Sequence, residues 1–94
     1  MERKIQQRLV KYLRSKGCYV LNVSPSPGIP TGCPDVIALY EGWWGAFECK
    51  ASKTAKFQPL QKQTINKLEK WSTMDVVYPS NYDEVIEKLD KILL

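Results

Sequence analysis

The sequence predicts an α/β fold, a small mixed sheet in the order αβββαβ with one further helix at the C-terminus. Three observations carry this. Apolar residues recur at helical spacing in residues 1–16, 59–71 and 81–93. Four short runs rich in β-branched and aromatic residues, at 18–23, 36–40, 46–51 and 74–78, read as strands. Glycine and proline clusters separate the runs.

In the first helix, Ile5, Leu9 and Leu13 repeat every four residues, with Val10 and Tyr12 beside them. Arg3, Lys4, Arg8, Lys11, Arg14 and Lys16 fill the other faces, and Gly17 is a natural stop. Glu2 falls on the inward stripe, where a carboxylate near a helix N-terminus is favourable. After the first strand, residues 24–32 hold three prolines and two glycines, which neither a helix nor a central strand tolerates. This loop is either a connector or a flap whose amides and hydroxyls (Ser24, Ser26, Thr31) contact phosphates.

The second and third runs form a hairpin with its tip at residues 41–45. Trp43 and Trp44 point to opposite faces there, so only one belongs in a small core. The other is a dimer contact or a base-stacking wedge. The next helix takes its apolar face from Leu60, Thr64, Ile65, Leu68 and Trp71, and Gln61 borders that face near the start. Ser80 to Asp83 has capping-box form and opens the acidic last helix, which is expected to pack on the sheet away from any polyanionic ligand.

At 94 residues the chain is expected to be one domain, residues 1–94, small enough to favour oligomerisation. No window has the long uncharged apolar run of a membrane helix, and no signal peptide is visible. Three cysteines without C-x-x-C spacing, in a chain lacking histidine, argue against zinc and for reduced cytosolic thiols. Residues 1–74 hold twelve Lys/Arg against five Asp/Glu, or +7, and residues 75–94 hold two against five, or −3. A basic body with an acidic tail suits a polyanionic partner.

One pattern organises the rest: Pro34-Asp35, twelve residues, then Glu48-Cys49-Lys50. Strand alternation puts Glu48 and Lys50 on one face, with the Cys49 side chain toward the core. Hairpin pairing brings Asp35 beside them. Two converging carboxylates repel, and a hard divalent cation such as Mg²⁺ relieves that repulsion. Without histidine, hydrolysis here needs such a metal. Lys53, Lys56 and Lys62 follow Lys50 and extend the basic surface, as do Arg3 and Lys4 on the first helix.

P-D-x12-E-C-K resembles the PD-(D/E)xK nuclease signature. With the early helical Glu, G-x-P-D, F-E-x-K and a helix opening with Gln, residues 2–78 resemble the virus-type replication-repair nuclease (VRR-NUC) domains, and more distantly the archaeal Holliday-junction resolvases. The resemblance implies a restriction-endonuclease-like core and a Mg²⁺- or Mn²⁺-dependent endonuclease. Asp35, Glu48 and the Cys49 carbonyl would ligate the metal, with Glu2 in support. Lys50 would position or deprotonate the attacking water, and Gln61 would orient water or phosphate. The implied partner is DNA, branched for preference, bound by a homodimer that needs no small-molecule cofactor and no membrane. A viral origin, and a host-cytosol location, are suggested by the resemblance. The same core also suits a sequence-specific restriction-type nuclease, a flap nuclease or a non-catalytic DNA-binding module.

Overall fold

The computed structural model describes residues 2–57 and 60–94, with the Glu2 side chain outside the described set. The elements follow the expected order: α1 (Glu2–Ser15), β1 (Tyr19–Asn22), β2 (Val36–Tyr40), β3 (Trp43–Cys49), α2 (Gln61–Leu68), β4 (Thr73–Val77) and α3 (Tyr82–Ile92). The sheet runs β1-β2-β3-β4 and is mixed, antiparallel at the first two pairings and parallel between β3 and β4. A parallel pair needs a crossover, and α2 supplies it.

Directly paired residues share a face of the sheet. Val36, Ala38, Phe47, Cys49 and Val77 form the inner face. Ile5, Leu9 and Leu13 of α1 and Val85 and Leu89 of α3 close over it. The acidic α3 thus packs on the sheet face opposite Glu48, and Cys49 is a core residue with its side chain fully buried.

Three local expectations are corrected. Strand β3 begins at Trp43, three residues earlier than its apolar run suggested. The turn is only Glu41-Gly42, both at positive φ (36° and 85°), a two-residue geometry that matches strand twist. Tyr40 therefore pairs with Trp43, and Leu39 with Trp44. Trp43 packs against the inner core and its Nε1 donates to Thr73 Oγ1 at 3.3 Å, while Trp44 lies on the outer face.

Helix α2 is shorter than the 59–71 expected. Pro59 lies outside the described residues. Leu60 is left-handed at φ 73°, so the helix cannot include it. The amides of Trp71 and Ser72 turn back onto the Leu68 carbonyl, so Trp71 leaves the apolar face and is 63 % exposed.

The capping box before α3 does not form. Asn81 is the N-cap but makes no side-chain cap bond. Its amide instead donates to the Val76 carbonyl (2.8 Å) and accepts from the Tyr78 amide (2.9 Å), tying α3 to the end of β4. No helix among the described residues is long and apolar enough to cross a membrane.

Candidate active site

The C-terminal end of β3 collects the expected chemistry. Val36 pairs with Phe47, so Asp35, one step before β2, lies beside Glu48. The Cys49 amide donates to Asp35 Oδ2 at 3.0 Å, fixing the carboxyl against the strand end. The Asp35 carbonyl accepts from the Val23 amide at 2.7 Å, which latches the loop after β1 to the same corner.

Glu48, Lys50 and Gln61 are buried polar side chains in an otherwise apolar interior. They satisfy one another. Gln61 Nε2 donates to Glu48 Oε2 at 2.7 Å, and Lys50 Nζ donates to Gln61 Oε1 at 3.0 Å. Lys50 Nζ also lies 3.3 Å from Glu48 Oε2 and donates to the Lys56 carbonyl at 3.3 Å. The Gln61 amide has one consistent orientation here, oxygen to the ammonium and nitrogen to the carboxylate. Three N–H groups of Lys50 meet three acceptors. The Phe57 ring lies 5.0 Å from the same ammonium.

Gln61 is the first residue of α2, and Gly32 sets how closely that helix approaches. Gly32 has φ +86°, and a Cβ there would stand 2.9 Å from the Leu60 backbone carbonyl. Only a residue lacking Cβ lets the Pro34-Asp35 loop and the start of α2 meet.

Glu48 Oε1 is buried without a hydrogen-bond partner. Burial raises the Glu48 pKa, and the neighbouring Asp35 charge raises it further; Lys50 and Gln61 pull it partly back. Burial likewise raises Asp35, against the Cys49 amide and the Lys50 charge. Two adjacent hard oxygen donors, one with an orphaned buried oxygen, fit a hard divalent cation. Among the described residues no group of three or more His, Cys, Asp or Glu side chains gathers as a metal site.

These side chains line a cleft of about 560 Å³. Its outer wall is the loop after β1, including Ser26 and Thr31, with Cys33 beside the carboxyls. Burial, then the Glu48 and Asp35 charges, raise the Cys33 thiol pKa. The remaining expected residues are more dispersed. Lys56 lines this cleft, whereas Lys53 and Lys62 line a neighbouring shelf. Arg3 and Ser24 line a separate cleft beside α1, and Lys4, though exposed, lines none of the three. Glu2 begins α1, with its side chain outside the described set. The Lys56 carbonyl and the Phe57 ring had no signal in the sequence, because a loop's backbone path brings them to Lys50.

Residues 2–78 match the family model for the archaeal Holliday junction resolvase (Hjc). The chain belongs to this family. No curated protein and no solved structure gives a match. Membership in the Hjc resolvases carries the restriction-endonuclease-like fold, and the mixed sheet with flanking helices agrees with it. It also identifies the chain as a nuclease of the junction-resolving class.

Proposed function

We propose that the chain is a divalent-metal-dependent endodeoxyribonuclease that cuts branched DNA as a homodimer. The observation that carries this is the orphaned, buried Glu48 oxygen next to Asp35, on the floor of a cleft in a resolvase-family chain. Asp35 and Glu48 would hold Mg²⁺ or Mn²⁺, with the Cys49 carbonyl, next in the chain after Glu48, as a further ligand. The bound ion supplies a polarised phosphoryl oxygen and a more acidic water.

The protein groups have separable tasks. Lys50 is held by Gln61, Glu48 and the Lys56 carbonyl, so its ammonium is a fixed positive charge facing the cleft. It serves to offset charge that builds on the phosphate and to orient the attacking water. Gln61 keeps Glu48 and Lys50 in register by bonding both. Lys53, Lys56, Lys62, Arg3 and the hydroxyls of Ser24, Ser26 and Thr31 meet backbone phosphates. Glu2, at the start of α1, supports the metal. The narrower kinship to the virus-type replication-repair nucleases belongs to this reading too; it rests on the ordered motifs between Glu2 and Tyr78.

Dimerisation is supported by the outer face of the sheet. Tyr19, Leu39 and Trp44 form one cross-strand row there, and Leu21 and Ile37 begin the next. Tyr19 is 69 % exposed, and Leu21 and Leu39 about 40 %. A contiguous apolar patch of this kind marks an interface.

Glu48→Gln tests the reading. Labelled four-way junction, duplex and splayed DNA are incubated with Mg²⁺, Mn²⁺ or EDTA. The expected result is paired metal-dependent cuts in the junction by the unsubstituted protein. Glu48→Gln should bind the junction comparably and lose about 10²–10³-fold in cleavage, on the scale of one removed transition-state contact. Cleavage that survives EDTA or Glu48→Gln overturns it.

A further inference from the structure

The catalytic cleft has a neighbouring concavity on each side. A cleft of about 640 Å³ lies between α1 and the end of β1, and Val23 lines both it and the catalytic cleft. On the other side, Ala55 and Lys56 line both the catalytic cleft and the shelf of Lys53, Phe57 and Lys62.

The cations of α1 are sorted by the fold. Arg8 lies 4.1 Å over the Tyr82 ring, and Lys16 pairs with Asp90 at 3.3 Å; both face α3. Arg3, Lys11 and Arg14 line the α1 cleft instead, with Gln7 between them. Positions 3, 7, 11 and 14 fall on one stripe of a helix. Among the described residues neither Lys11 nor Arg14 enters an ion pair, and no carboxylate lines this cleft. The Ser24 hydroxyl lies on the opposite wall.

Cations without counter-charges, set in a concavity that shares Val23 with the proposed phosphodiester-cleaving site, fit a nucleic-acid backbone. We infer that the α1 cleft seats the backbone of the DNA arm that runs into the catalytic cleft, with Arg3, Lys11 and Arg14 on its phosphates. The stripe spans roughly 16 Å, the rise of about five phosphates along one strand. The inference rests on the nuclease reading and extends it: the DNA is gripped on both sides of the scissile bond, and Lys11 and Arg14, which the sequence did not single out for DNA, join Arg3 in doing so.

The test is Lys11→Ala/Arg14→Ala against a charge-matched control, Lys70→Ala/Lys91→Ala, whose residues line none of the three concavities. Both pairs are exposed, so thermal melting should match the unsubstituted protein. Junction affinity is measured from low to moderate salt, with cleavage rates beside it. Losing two phosphate contacts should lower the slope of log affinity against log salt by about two. Affinity should fall tenfold or more, and KM should move more than kcat. The control should change neither. If the α1 pair disturbs folding, Gln7→Glu places a repelling charge in the same cleft and should weaken binding likewise. Intact metal-dependent cutting with slope and affinity equal to the control overturns the α1 cleft alone. Absence of any cut by the unsubstituted protein overturns the nuclease reading, and the cleft's role with it.

Discussion

Asp35 and Glu48 carry a stability cost in the fold. The fold raises both carboxyls above their ordinary pKa, chiefly by burial. An acid whose folded pKa is raised destabilises the fold when ionised. That penalty is fully present above the raised folded values, and it fades as the pH falls through the ordinary carboxylate range near about 4. Asp35→Asn keeps an acceptor for the Cys49 amide and removes one charge. The metal-free variant should therefore melt a few degrees above the unsubstituted protein at pH 8, with the difference vanishing near pH 4. Asp90, whose pKa is lowered by its bond with Tyr12, is common to both proteins and cancels. Mg²⁺ should raise the melting temperature of the unsubstituted protein and not that of Asp35→Asn. Calorimetry in EDTA and in Mg²⁺ checks both; a variant that melts lower at pH 8 contradicts the account. Asp35, Glu48 and Lys50 were legible because strand alternation and hairpin pairing suffice to bring them together, and Gln61 because it borders the apolar face at the start of the next helix. The Lys56 carbonyl was not, since a backbone acceptor carries no residue-type signal.

Among the elements, α2 depends most on one distant contact. Its first residue, Gln61, must reach Glu48 and Lys50, and Gly32 in another loop permits that approach. Gly32→Ala meets two penalties, a positive φ and a Cβ 2.9 Å from the Leu60 carbonyl, a backbone atom that cannot rotate away. The variant should lose about 1–3 kcal/mol of stability, the range for strain at a special backbone position. Cleavage should fall further than folding explains, because α2 carries Gln61 away from Glu48. Urea unfolding and single-turnover cleavage under fully folded conditions separate the effects; unchanged values for both would remove Gly32 from this role. Element order and the strands' approximate places could be read from periodicity. Element ends could not. Trp43 and Trp44 joined β3 because Glu41 tolerates a positive φ, and α2 starts late because Leu60 adopts one. Neither residue type announces that conformation.

For the whole molecule the decisive surface is the outer face of β1, β2 and β3. The inner face is covered by two helices, whereas α2 reaches only the β4 side of the outer one. A stable interface buries about 800 Å² per partner, about an eighth of the 6284 Å² that this chain exposes. The Tyr19, Leu39 and Trp44 row lies on the same face as Glu48 but toward the opposite end of β3. Two copies meeting there about a two-fold axis would leave both catalytic clefts open, one for each of two strands of a symmetric junction. Leu39→Glu sets like charges against each other across such an axis and changes no residue of the cleft. Sedimentation should show the unsubstituted protein as a dimer and Leu39→Glu as a monomer. On four-way junctions the variant should replace paired cuts by single, uncoordinated nicks and lose activity more steeply on dilution. Asp35, Glu48 and Lys50 are intact within each protomer, so the nicks should still require metal. A Leu39→Glu protein that remains dimeric and cuts in pairs would move the interface elsewhere on the molecule. An unsubstituted protein that stays monomeric and still cuts in pairs would remove the need for a second copy altogether.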